Sequence, residues 1–246
     1  MKKISVLLIA FIFIFGMVSG QDVDEIIKNH IEVKGGAAKL EAVKTVKAVG
    51  KMVRMNMEMK FSLFYKKPGM TRTEVTFSDK LMVFAYDGKT AWQISPFTGV
   101  DGPQVMTGDQ ADDAKETAEM FENPLIDYAK KGHKVELLGK DEVEGTEVFK
   151  LKLTKKDGKE IIFYLDTENF IDLKTETTRV RKDGKEIKSE SFSGDFKEVN
   201  GMMTAFSIKT KVNGMDMGNI IIESIEYDTE LDDSLFIMPK TEEKKQ

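Results

Sequence analysis

The sequence contains no cysteine among its 246 residues. It therefore has no disulfide framework, no thiol nucleophile and no thiolate metal site, and the stability of its fold must come from packing. Histidine is almost as scarce, because His30 and His133 are the only two. Their separation matches neither a metal-ligand spacing nor a catalytic triad, so both are expected to be surface or helix-end residues. We predict no metal site and no cofactor.

Catalytic motifs are also missing. No serine lies in a Gly-x-Ser-x-Gly context, and the sequence has no glycine-rich phosphate loop. Lysine and arginine total 37 against 42 aspartate and glutamate residues, without a dense basic patch. Because nucleic-acid binding depends on clustered cations that release counterions, we expect no nucleic-acid partner. We also predict that the protein is not an enzyme, since a secreted hydrolase would need a nucleophile or base that we do not find.

The N-terminus has the pattern of a secretory signal peptide. Lys2 and Lys3 precede an apolar run over residues 4–18, and two small residues, Ser19 and Gly20, follow it. The run is too short, and its far flank too acidic, for a membrane-spanning helix. We predict that this segment directs export and is removed.

The cleavage site defines the mature chain. Cleavage is expected before Gln21, which makes residues 1–20 the signal peptide and residues 21–246 a single domain. A lipidated exported protein needs a cysteine at the cut, and none is present. We therefore expect a soluble, unanchored protein of the periplasm.

From Thr45 onward the pattern is typical of β-strands. Apolar residues occupy every second position from Val53 to Tyr65, with polar residues between them, as in an antiparallel sheet with one dry face. A hairpin turn near Asn56 divides this stretch into two strands. Asp-Gly and Asn-Gly pairs, which favour two-residue hairpin turns, separate many of the later strand signals. About eleven strands are predicted, mostly in a meander.

Helices are predicted before and within this meander. Apolar residues from Val23 to Ile31 recur at helical spacing, and a second short helix follows Gly36. A glycine- and proline-rich loop over residues 96–108 precedes one apolar helical stripe from Ala111 to Tyr128, bent near Pro124. The predicted fold class is therefore mainly β (α+β), as a single open, unclosed antiparallel β-barrel of about 11 strands with helices covering the concave face.

Methionine is abundant, with 15 residues in the chain. They cluster between Met52 and Met59 and again between Met202 and Met217. Unbranched thioether side chains fill irregular space and repack around variable apolar partners. Both ordinary core filling and a deformable apolar cavity explain such clusters.

Several segments resemble, in order and at about the right spacing, those of the periplasmic lipoprotein-carrier family (LolA/LolB-like). Leu63–Arg72 contains Lys-Pro between two strands, and Tyr86–Trp92 contains Asp-Gly-Lys-x-x-Trp. A Pro-Phe pair follows at Pro96, and the closing segment Asp232–Pro239 contains Phe-x-x-Pro. Together these segments extend over most of the mature chain.

The resemblance implies a LolA-like unclosed barrel whose apolar concave face holds the acyl chains of lipoproteins or lipids. It also implies a role in outer-membrane lipoprotein sorting, with an inner-membrane export complex and an outer-membrane receptor as partners. Members that act as receptors carry an N-terminal cysteine anchor, so the missing cysteine favours a carrier. In the family's carriers an arginine directly before the conserved proline holds the lid shut; here that position is Lys67, the candidate lid latch.

The candidate ligand-binding residues are the apolar side chains expected on the dry face of the sheet and on the covering helix. They are Val53, Met55, Met59, Phe61, Leu63, Val83, Trp92, Ile94, Phe206 and Ile208 on the sheet and Ala114, Ala118 and Phe121 on the helix. The alternative function is an envelope-sensing or protein-interaction module with the same fold and no lipid cargo. An apolar cavity would favour the carrier, and a filled barrel with an exposed strand edge would favour the module.

Overall fold

The computed structural model describes residues 22–99, 102–181 and 183–240. The predicted signal peptide and its cleavage site lie outside the described residues. Among those that are described, no helix is both long and apolar enough to cross a membrane.

The described part of the chain contains three α-helices: α1 (Val23–Val33), α2 (Ala37–Ala42) and α3 (Asp109–Met120). The Asp22 carboxylate caps α1 by accepting a hydrogen bond from the backbone N–H of Asp24. A short 3-10 helix, Asp233–Leu235, lies near the C-terminus. The first two helices agree with the predicted ones, whereas α3 ends before the bend expected near Pro124.

The described residues form thirteen strands in one antiparallel sheet. Their bounds are β1 (Thr45–Arg54), β2 (Met57–Lys66), β3 (Met70–Phe77), β4 (Lys80–Tyr86), β5 (Ala91–Ile94), β6 (Pro103–Val105), β7 (Lys134–Val143), β8 (Thr146–Thr154), β9 (Glu160–Asp166), β10 (Asp172–Val180), β11 (Glu186–Val199), β12 (Met202–Val212) and β13 (Met215–Tyr227).

The strand order is β6-β5-β4-β3-β2-β1-β13-β12-β11-β10-β9-β8-β7, so the sheet is open, with β6 and β7 at its edges. β1 lies between β2 and β13 and joins the two halves of the chain. The β1–β13 register shifts at Gly50, where a side chain would collide with the carbonyl oxygen of Ile221. The close approach of these two strands therefore requires glycine.

The strand count of about eleven was too low. β6 lies inside the segment predicted as a glycine- and proline-rich loop, and it pairs with β5 through only three residues. A strand this short has no period-two pattern to recognise, and its pairing with β5 is a tertiary contact.

The sheet has an inner face, defined as the face that carries Tyr65 on β2 and Arg179 on β10. The ring of Phe121, at the end of α3, stacks on Tyr65, and Asp113 of α3 pairs with Arg179. Strands β2 and β10 are five positions apart in the sheet, about 24 Å if it were flat. Asp113 and Phe121 are separated by only about 12 Å along a helix. The sheet must therefore curl toward the inner face, and the opposite, outer face is convex.

The largest buried cluster lies where α1 packs on the inner face of β7–β9. Ile26 and Ile27 of α1 meet Leu151 of β8 and Phe163 of β9 there, and Leu125 completes the cover. His30, also on α1, is 3% exposed. Its Nδ1 lies 2.8 Å from the carbonyl oxygen of Phe170, which connects α1 to the β9–β10 turn.

We predict that His30 makes the stability of the fold depend on pH. Burial lowers the pKa of His30 below 6.5, although the neighbouring Asp172 carboxylate opposes this shift. The unfolded chain therefore takes up a proton near pH 6.5 while the folded chain remains neutral, and the free energy of unfolding decreases as the pH falls from about 6.5 toward the lowered pKa. Urea unfolding at a series of pH values measures this slope.

His30→Gln is expected to flatten the dependence in that window. His133→Gln is the matched control, because His133 is half-buried and so less buried than His30, and the chain has no third histidine. This variant should keep the larger part of the slope. An unchanged slope in His30→Gln would show that another titrating group causes the pH dependence of the free energy of unfolding.

Candidate functional site

Five of the predicted sheet residues lie together on the inner face. Met59, Phe61 and Leu63 alternate along β2 on the same side as Tyr65. Phe206 and Ile208 on β12 reach the same surface, because Ala48 of β1 and Ile222 of β13 lie between them and Leu63 in one cluster. The pairing of β1 with β13 brings these two groups together.

We call this surface the apolar floor. It extends over four adjacent strands, β2, β1, β13 and β12, through pairs such as Met52 with Met59 and Ile208 with Ile220. Phe61 and Phe206 are buried, whereas Leu63 and Ile208 remain half-buried. The apolar floor consists of Ala48, Met52, Met59, Phe61, Leu63, Phe206, Ile208, Ile220 and Ile222.

Helix α3 lies at one side of the apolar floor. It packs against β3, β4 and β5, with Ala118 buried and Ala114 half-buried. The Phe121 and Tyr65 ring centroids are 4.6 Å apart in a stacked arrangement. Burial, with a contribution from Glu122, raises the pKa of Tyr65 to about 12, so this ring stays neutral. The three predicted helix residues are therefore near the inner face.

The opposite side of α3 is held by ion pairs that were not predicted. Asp113 pairs with Arg179 and Asp109 with Arg181, the latter at 2.9 Å. Two further pairs join Glu116 to Lys159 and Glu119 to Lys155. The four cations come from the β8–β9 turn and the end of β10. Since α3 also packs on β3–β5, it connects the two limbs of the curved sheet.

Val53 and Met55 do not lie on the inner face, contrary to the prediction. The β1–β2 hairpin turns at Met55 and Asn56, so that Val53 pairs with Glu58 and Met52 pairs with Met59. A two-residue turn shifts the alternation by one position, which places Val53 on the outer face. Met55 is 77% exposed at the tip of the turn, with a positive φ.

Val83, Trp92 and Ile94 also lie on the outer face. They form a small buried cluster with Ala85, and Met238 from the C-terminal segment packs against it. The indole Nε1–H of Trp92 donates to the carbonyl oxygen of Phe236 at 2.7 Å. These three residues were predicted to bind ligand on the dry face, but they instead anchor the C-terminal segment. They are apolar because this segment covers them.

Arg72 reinforces the same contact. Its guanidinium donates to the carbonyl oxygen of Leu235 at 2.9 Å and lies 5.5 Å from the centre of the Trp92 ring. Glu74 pairs with it at 2.7 Å. The sequence motifs at Trp92 and Phe236 thus meet in space on the convex side of the sheet.

Lys67, the candidate latch, contacts α2. Its ammonium group donates to the carbonyl oxygen of Glu41 at 2.6 Å. In this structure the ion pairs of α3 come from Lys155, Lys159, Arg179 and Arg181 instead. Sequence reasoning did not find these four residues, because their partners are 36 to 72 positions away along the chain.

The inner face becomes polar beyond β12. Thr175 and Thr177 on β10 pair with Ser191 and Ser189 on β11, and Ser191 also pairs with Thr210 on β12. The polar side chains at every second position of β10 and β11 were the available sequence signal for this surface. We call these five residues the hydroxyl patch.

Two cavities lie beside α3. One of about 290 Å³ is half-open and lies between four residues of the hydroxyl patch and Asp113, Glu116 and Thr117 of α3. The other, of about 620 Å³, lies at the ends of β9 and β10 near Arg181. None of the predicted ligand-binding residues lines either cavity. Within the described residues, no group of three His, Asp or Glu side chains is arranged to hold a metal ion.

We predict that Trp92→Phe lowers the free energy of unfolding by about 1–3 kcal/mol. The substitution leaves the buried carbonyl of Phe236 without its donor and removes part of a fully buried ring. Urea unfolding followed by circular dichroism is required, because Trp92 is the only tryptophan. Phe97→Leu, at a position that is 52% exposed, is the control and should change stability little. A loss no larger than that of the control would contradict the anchoring role.

We also predict that the double substitution Arg179→Gln/Arg181→Gln loosens α3. Each partly exposed ion pair contributes about 0.2–1 kcal/mol, so amide hydrogen exchange in α3 should rise a few-fold. The exchange of α1, which is held by apolar packing, is the internal control and should not change. Raising the salt concentration of the wild-type protein should have the same effect on α3. Unchanged exchange in α3 would show that its apolar contacts alone hold it.

No curated protein matches the sequence. A family model with the description "Uncharacterized protein" matches residues 125–240, somewhat less than half of the chain. The sequence comparisons therefore do not identify a function.

Solved structures give clearer matches. A LolA superfamily protein from Nitrosomonas europaea is 15% identical, with a TM-score of 0.53, and the match covers 87% of this chain and 96% of that one. A DUF1329 family protein from Desulfovibrio piger is 13% identical, with a TM-score of 0.57, over 87% of this chain and 97% of that one. A domain from Vibrio parahaemolyticus described as outer membrane lipoprotein-sorting is 13% identical, with a TM-score of 0.53, over 85% and 95%. The chain therefore has the mainly β, open-sheet fold of the LolA superfamily, as the sequence motifs indicated.

Proposed function

We propose that this protein is a soluble periplasmic carrier that binds the acyl chains of lipoproteins or lipids on the apolar floor. The observation that carries the proposal is the continuity of this surface across four strands of the inner face. Half-buried side chains such as Leu63 and Ile208 leave apolar area available for a ligand.

The physical chemistry of acyl chains fits this surface. Each CH₂ group left in water costs about 0.8 kcal/mol, so a soluble carrier must offer a dry surface to the whole chain. Met52 and Met59 lie opposite each other at one end of the floor. Their flexible thioether side chains suit tails of variable shape.

We propose α3 as the movable cover of the floor. It joins β3–β5 on one side to β8–β10 on the other, so its release would open the inner face. The joint to β8–β10 consists of ion pairs that water can replace at little cost. In this proposal Arg179 and Arg181, rather than Lys67, hold the cover shut.

The same proposal places the mature protein, residues 21–246 as one domain, in the periplasm, with residues 1–20 removed during export. The fold shared with the lipoprotein-sorting domain of Vibrio parahaemolyticus supports a non-enzymatic role in outer-membrane lipoprotein sorting. An inner-membrane export complex and an outer-membrane receptor would be its partners.

A protein-interaction module is the second candidate, and the edge strand β7 favours it. β7 is ten residues long and, among the described strands, pairs with β8 alone, so the other side of its backbone is available to a strand of another protein. Its charged side chains and the irregular register near Gly139 oppose uncontrolled pairing.

Native mass spectrometry of the protein purified from a periplasm separates these candidates. The carrier predicts a co-purifying acylated species at about one molecule per chain, which organic extraction would identify. An unliganded mass that remains unchanged after incubation with phospholipid and acylated peptide would contradict the carrier and favour the module.

We predict that Ile208→Thr weakens acyl-chain binding about tenfold. The substitution replaces apolar surface on β12, the last strand of the floor, and keeps the β-branched shape, so about 1.4 kcal/mol of binding free energy should be lost. Isothermal titration with a monomeric alkyl ligand measures the affinity.

Ile162→Thr is the matched control for this experiment. Ile162 is also half-buried on an interior strand, but it lies on the outer face opposite Lys152 and Glu176. Both variants should lose similar stability, and only Ile208→Thr should lose affinity. Equal affinity losses would show that the ligand does not lie on the apolar floor.

A further inference from the structure

The inner face has two chemically different halves that meet at β12. Ile208 belongs to the apolar floor, and the next inner-facing residue along the strand, Thr210, belongs to the hydroxyl patch. Ile208 also pairs with Ile220 on one side and with Ser193 on the other. The polarity therefore changes between neighbouring strands, about 5 Å apart.

The hydroxyl patch borders a half-open cavity. The cavity of about 290 Å³ lies between α3 and the strands, where Arg179, Ile187 and Val212 line it beside Thr175, Thr177, Ser189 and Ser191. The four hydroxyl residues are partly accessible. A hydroxyl group both donates and accepts hydrogen bonds, so these four residues offer several groups of each kind to a ligand.

The charged residues around this cavity are already paired with one another. Asp113 binds Arg179, which lines the same cavity, and Glu116 binds Lys159 from the β8–β9 turn. A charged ligand group would have to break one of these pairs or remain without a partner there. An uncharged group needs only the hydroxyls and the outer lone pairs of the carboxylates.

We propose that the natural ligand is an amphiphile with an uncharged, hydroxyl-rich head group, such as a glycosyl or polyol lipid. Its head lies in the cavity between the hydroxyl patch and α3, and its alkyl chain crosses β12 onto the apolar floor. This inference rests on the proposed function, because it names the ligand class for the same inner face.

The position of the head explains the two roles of α3. The polar side of the helix, with Thr117 and Glu116, faces the cavity, while Ala118 is buried toward β3–β5 and the half-buried ring of Phe121 stacks on Tyr65 of β2. A bound head group would therefore touch the helix that covers the site. Occupancy of the cavity should add hydrogen bonds between α3 and β10–β11.

Three probes with the same tail test the proposal: decyl maltoside, decyl phosphate and decyltrimethylammonium, each below its micelle concentration. Isothermal titration against the full mature chain should give a dissociation constant about tenfold lower for decyl maltoside than for either charged probe. Equal affinity for all three would overturn the head-group inference and leave the acyl-binding function intact. Tighter binding of decyl phosphate would overturn it in favour of an anionic head.

The double substitution Ser189→Ala/Ser191→Ala tests whether the hydroxyl patch binds the head group. It should weaken decyl maltoside binding about tenfold and leave the two charged probes nearly unchanged. Ser62→Ala/Ser224→Ala is the matched control, because both serines lie on the outer face beside Val49. Circular dichroism confirms that the variants fold.

The binding results distinguish failure of the head-group inference from failure of the proposed carrier function. Equal losses for all three probes in Ser189→Ala/Ser191→Ala would contradict a head-group role of the patch. Absence of binding by every probe to the wild-type chain would contradict the proposed carrier function itself, and the ligand class with it.

Discussion

The pairing of β1 with β13 is the constraint on which the rest of the structure depends. The chain builds two meanders, β1–β6 and β7–β13, and only this pairing joins them into one sheet. The apolar floor crosses the junction, since two of its strands belong to the first meander and two to the second. Gly50 permits the close approach at the junction, because any side chain there would meet the backbone of β13.

The two faces of the sheet differ in what packs against them. On the convex side the C-terminal segment closes a small core over Trp92, with Arg72 and the carbonyl oxygens of Leu235 and Phe236 in direct contact. This side gives stability to an edge region that has no disulfide to hold it. The inner side carries the larger core under α1 and the cluster across β1, β12 and β13, together with half-buried apolar residues and a row of hydroxyls.

The two sides of helix α3 are held by interactions of different strength. Its contact with β2–β5 includes the stacking of Phe121 on Tyr65 and the burial of Ala118, which water cannot replace. Its contact with β8–β10 consists of partly exposed ion pairs, which water and salt replace readily. In the proposed opening, α3 is released from β8–β10 and remains attached to β2–β5.

Much of the fold could be predicted from the sequence alone. Local signals were sufficient for α1, for the Asp-Gly and Asn-Gly hairpins and for an open, mainly antiparallel sheet, because each depends on residues a few positions apart. The LolA-like fold followed from the order of motifs between Leu63 and Pro239. Within the site, alternation grouped Met59, Phe61 and Leu63 along β2 and Phe206 with Ile208 along β12.

Only the tertiary structure decided which face each apolar residue occupies. The two-residue turn at Met55 and Asn56 moved Val53 to the outer face, because a shift of one position reverses every side chain. Trp92 is as apolar as Phe61, yet the C-terminal segment covers it from the convex side. The ion pairs of α3 and the hydroxyl patch depend on contacts between distant strands, for which a linear sequence has no periodic signal.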